Sequence, residues 1–93
     1  MKSYLEVEYK RELTPEESKI INGLFKDYDC YLKGNKWYYG GKDIKMDWSY
    51  LLTPLNWIED EHRDMCKLFK KCFLHSIESG DVIESWKEDG YLN

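Results

Sequence analysis

The chain has 93 residues, 14 of them basic and 18 acidic, giving a net charge of −4 and a pI near 5.2. A chain of this length holds one core, so residues 1–93 are expected to form a single compact domain, and 42% hydrophobic with 16% aromatic residues can fill it. The acidic balance argues against the basic stripe that direct nucleic-acid binding uses, and no apolar run approaches the ~20 residues of a membrane span.

Charges within Met1-Lys2-Ser3-Tyr4-Leu5-Glu6-Val7-Glu8 interrupt the apolar run that a secretory leader needs, which points to the cytoplasm. Cys30, Cys66 and Cys72 are odd in number and are expected as free, buried thiols. Leu5, Val7 and Tyr9 alternate with Glu6, Glu8 and Lys10, the period of a strand with one buried face. Thr14-Pro15-Glu16-Glu17 is a capping box with proline at the first helical position, so a helix is predicted from Pro15 to Asp27 or Tyr28. On it Ile20, Ile21, Leu24, Phe25 and Tyr28 fall within about 140° of arc at about 100° per residue, one stripe for a sheet.

Tyr28 to Lys33 reads as a second strand and Trp37 to Tyr39 as its hairpin partner across Gly34-Asn35, two residues that tolerate positive φ. Beyond Gly40-Gly41, Ile44, Met46, Trp48 and Tyr50 alternate with Lys45, Asp47 and Ser49, predicting a fourth strand. Thr53-Pro54 and the Asn56–Glu59 spacing suggest the start of a second helix, predicted from about Leu55 to Leu74 or Ser76. Its apolar side holds Ile58, Met65, Phe69 and Phe73. Its acidic start and basic end suit the helix dipole. Asp81 and Glu84 have capping spacing, and Gly90 is placed as a stop, so Val82 to Lys87 is read as a short third helix, with a strand as the alternative.

These elements give an α+β fold: an antiparallel sheet of three or four strands with two amphipathic helices on one face, in the order βαβββα plus a short helix. The alternative is a ferredoxin-like βαββαβ arrangement. The expected core joins Ile20, Ile21, Leu24, Phe25, Ile58, Met65, Phe69 and Phe73 to Leu5, Val7, Ile44, Met46 and Trp48.

His62, Cys66, Cys72 and His75 invite a zinc or nucleophile reading. On one continuous helix His62 and His75 would stand about 20 Å apart at 1.5 Å per residue, too far to share an ion. Only His62 with Cys66 has half-site spacing, and no glycine-rich turn follows to supply an oxyanion site. No metal or cofactor is expected. A small enzyme or nucleotide-binding protein using His62, Cys66 or His75 is the alternative function.

The stronger signal is aromatic density. Tyr31, Trp37, Tyr38 and Tyr39 fall on both parities of the hairpin, so some must be exposed, and exposed Tyr and Trp dominate protein interfaces. With the acidic Asp43, Asp47, Glu59, Asp60, Glu61 and Asp64 they suggest a contact surface for a larger, basic protein. The expected function is therefore a non-catalytic protein-binding module acting by steric occupation, with no direct nucleic-acid or membrane contact. In being short, acidic and single-domain, the chain is similar to small phage-encoded inhibitors of bacterial defence, the anti-CRISPR proteins among them. That resemblance rests on no residue motif and transfers no site.

Overall fold

A computed structural model describes residues 2–76, 82–84, 86–87 and 90–91. Strand β1 (Tyr4–Tyr9) leads into helix α1 (Pro15–Asp27), whose capping box forms as its sequence requires: the Thr14 hydroxyl accepts from the Glu17 amide, and the Glu17 carboxylate accepts from the Thr14 amide. The chain leaves α1 through Asp29, held at φ 60, and enters the hairpin of β2 (Cys30–Lys33) and β3 (Lys36–Tyr39). Between them the positive φ falls on Gly34 alone, at 63, the requirement of a II′ turn.

The predicted fourth strand at Ile44–Tyr50 is instead a 3-10 turn at Ile44–Met46 followed by helix α2 (Asp47–Glu61). The alternating residues do not alternate in burial, since Ile44 is 70% and Met46 41% exposed. The spacing that wins is Asp47, Leu51, Pro54, Leu55 and Ile58, all buried, which recur at the helical period. Pro54 therefore lies inside the helix rather than at its start. It has no N–H for the Tyr50 carbonyl, and the Cys30 thiol donates to that oxygen at 3.5 Å.

The second helix also ends far earlier than the sequence suggests. A 3-10 segment at Arg63–Leu68 follows α2, and Phe69–His75 is strand β4 rather than helix. Strand β5 (Val82–Glu84) pairs with β4, and β6 (Trp86–Lys87) pairs with β7 (Gly90–Tyr91). The strand alternative thus replaces the short third helix, and the Asp81 half of its predicted cap lies outside the described residues.

All pairings in the main sheet are antiparallel, in the order β2-β3-β1-β4-β5. The α+β class holds, while the order βαβββα gives way to β1-α1-β2-β3-α2-β4, with β1 between β3 and β4. That is the split arrangement of the ferredoxin-like alternative. Leu5, Trp37 and Leu74 share one rung and are buried. Phe25 of α1 stacks on Trp37 at 4.3 Å and Tyr50 of α2 on Tyr39 at 4.4 Å, so both helices cover this same face. Phe69 joins its core; Phe73, one register position from Leu74, is on the other face and only half-buried. Among the described residues no helix is long and apolar enough to cross a membrane.

Candidate functional site

The hairpin aromatics divide by parity. Trp37 and Tyr39 point into the core, 1% and 7% exposed, which corrects their assignment to an interface. Tyr31 and Tyr38 lie on the face away from the helices and are half-buried. Asp47 is corrected as well: it is buried in the first turn of α2, and its carboxylate accepts from the Ser3 amide at 3.1 Å, tying the start of β1 to the helix. Asp43 is exposed, close to the Tyr50 hydroxyl at 3.5 Å. Asp60, Glu61 and Asp64 are exposed at the opposite end of α2, which at 1.5 Å per residue is about 20 Å away. Glu59 is half-buried. The proposed aromatic and acidic groups therefore do not form one surface.

Two surfaces emerge in its place. The first is on the helices. Trp57 is 43% exposed, and its indole N–H donates to the Tyr28 hydroxyl at 2.6 Å. The two rings, with Leu24 and Asp27, line a cleft of about 410 Å³ between α1 and α2. Asp60 and Glu61, three and four residues after Trp57, lie within about 60° of it around the helix. An exposed aromatic anchor is thus bordered by three carboxylates. The predicted helix from about Leu55 already carries Trp57 with Asp60 and Glu61 on one face; what the sequence does not show is the contact with Tyr28 that makes Trp57 part of a cleft.

The second surface is the open face of the sheet. Tyr31 pairs with Tyr38, Tyr38 with Tyr4, and Tyr4 with His75, one rung crossing β2, β3, β1 and β4. Ring centres along it are separated by 5.6, 5.7 and 4.2 Å. Lys2 and Lys33 place their ammonium groups 5.6 and 6.0 Å from the Tyr31 ring, and Lys36 lies 5.1 Å from the Tyr4 ring. Toward β4 the charges pair instead: Glu6 meets His75 at 3.1 Å, and Glu8 meets Lys70 at 3.4 Å and Lys71 at 3.9 Å. The signal for Tyr4 was available as the unburied parity of β1, which continues through Glu6 and Glu8. The sequence names His75 only for zinc or nucleophile chemistry, because a helix over Phe69–His75 does not set it beside Tyr4.

The residues of the enzyme alternative are not brought together. His62 caps the end of α2, so its helical spacing to Cys66 is lost in the 3-10 segment. Cys66 is in the core, and His75 is on the open face of β4. Burial pushes all three thiols up, Cys30 to about 12. A thiol held protonated in this way is a poor nucleophile and a poor metal ligand. Among the described residues no group of three or more His, Cys, Asp or Glu is placed to hold a metal ion. Comparison with protein-family models, curated protein sequences and solved structures yields no match.

Proposed function

We propose that the protein is a non-catalytic binding module that docks on a basic surface of a larger protein through its helical side. The observation that carries this reading is Trp57, a large ring left 43% exposed on a helix whose other apolar residues are buried or half-buried. Its area is large and its rotamer freedom small, the properties of a hot-spot anchor. Asp27, Asp60 and Glu61 border it, and carboxylates in that position steer toward a positive patch and raise the association rate more than the affinity. Occupying a basic surface that ordinarily receives nucleic acid would block it by simple exclusion. That mode of action accords with the general likeness to small phage-encoded inhibitors of bacterial defence.

The test is paired capture from a lysate of the encoding organism, using the wild type and Trp57→Ala, followed by titration with the purified partner. A partner lost on Trp57→Ala, with an affinity loss above about 1 kcal/mol and an unchanged melting temperature, supports the reading. Charge reversal at Asp60 and Glu61 should slow association mainly at low salt. Equal capture by both proteins, followed by equal affinities, overturns it.

A further inference from the structure

The open face of the sheet is not used by the helical docking surface, and its chemistry differs. We propose that it binds single-stranded nucleic acid, with Tyr31, Tyr38 and Tyr4 receiving bases and Lys2, Lys33 and Lys36 meeting the flanking phosphates. The geometry supports each half of that match. Tyr31 and Tyr38 are near-parallel at 20° with centres 5.6 Å apart, an offset rather than an eclipsed stack. Tyr38 and Tyr4 are tilted at 42°, so that pair is not eclipsed either, and Tyr4 ends the row stacked on His75 at 4.2 Å. All three rings are only half-buried. A sequence-tolerant aromatic row of this kind on a four-stranded face accepts two or three bases.

The lysines decide between polyanions. Among the described residues Lys2, Lys33 and Lys36 enter no ion pair, whereas Glu6 and Glu8 on the same face are engaged by His75, Lys70 and Lys71. An acidic peptide would satisfy the three ammonium groups and bring nothing planar to the rings. A single-stranded polynucleotide brings both. The chain's charge of −4 does not oppose this, because it sums the whole surface while Asp27, Asp60 and Glu61 lie on the helical side. What a strand meets locally is the tyrosine row and its lysines, with Glu6 and Glu8 already paired toward β4.

The experiment is fluorescence anisotropy of labelled oligo(dT) and oligo(rU) at several salt concentrations. Binding is expected, with a slope of log K against log[salt] near −2, from three lysines at about −0.7 each. Lys33→Gln combined with Lys36→Gln should flatten that slope by about 1.4. Tyr38→Ser should weaken binding about 5-fold or more, and Tyr38→Phe should leave it intact, since a phenyl ring stacks as well. Should Tyr38→Ser lower the melting temperature enough to unfold the domain, Tyr31→Ser on the edge strand reads the same contribution. Trp57→Ala should bind the oligonucleotides like the wild type, so failure here and failure of the docking reading are separable. Absence of binding to both oligonucleotides, indifference to the tyrosine substitutions, or equal binding of duplex DNA or polyglutamate would overturn the proposal.

Discussion

The two faces of one sheet use the same residue types for opposite ends. On the covered face Trp37 stacks on Phe25 and Tyr39 on Tyr50, and these rings serve as core. One residue along the same strand, Tyr38 stacks with Tyr31 under water, with ammonium groups where the covered face has helices. Aromatic content alone therefore says little about function. Strand parity decides whether a ring stabilises the fold or is offered to a ligand.

The sharpest way to break that contrast is to truncate neighbours in β3. Trp37→Ala should cost about 3 to 5 kcal/mol through lost transfer energy and a cavity, and Phe69→Ala the same. Tyr38→Ala should cost about 1 kcal/mol, the scale of a cross-strand pair. Urea denaturation gives both values, and equal losses would show that the open face is packed as tightly as the covered one. The acidic residues allow a second comparison: Asp47→Ala removes the buried carboxylate that accepts from the Ser3 amide and should cost about 1 to 3 kcal/mol, whereas Asp43→Ala should stay within about 0.5 kcal/mol of the wild type.

Thr14→Ala should remove about 1 kcal/mol of stability by deleting the α1 cap. A pH effect accompanies it. The Arg11 guanidinium and the Thr14 amide hold the Glu17 carboxyl down at about 2, against 4.5 ordinarily. A folded-state value below the unfolded one means that this contribution is present above about pH 4.5 and is lost as the pH falls toward 2. Glu17→Gln should therefore flatten the acid limb of a melting-temperature profile while leaving the neutral limb parallel. The smallest effect belongs to the thiols. Burial raises Cys30 from 9.0 to about 12, so its contribution is full below pH 9 and fades as pH rises through 12. Native protein at pH 8 should resist alkylation by iodoacetamide, and unfolded protein should react; fast native labelling would place a thiol on the surface.

What the sequence determined by itself is local. The β1 alternation, the Thr14–Glu17 capping box, the bounds of α1 and the β2–β3 hairpin are each written in residues a few positions apart, and all are found in the structure. Two segments carried patterns that satisfy both periods. Ile44 to Tyr50 alternates perfectly, but it also begins the Asp47, Leu51, Leu55, Ile58 repeat. Phe69 to His75 places Phe69, Cys72 and Phe73 on a helical stripe while Cys72 and Leu74 alternate as a strand. Local propensity cannot choose between such readings; the position beside β1 does, because a central strand needs antiparallel partners for its hydrogen bonds on both sides, and β4 supplies the second. The open face depends on that choice for its last member. His75 joins the tyrosine row only when β4 is a strand, and Trp57 meets Tyr28 only when α1 and α2 pack side by side, so both surfaces were completed by tertiary pairing, of residues up to 71 positions apart.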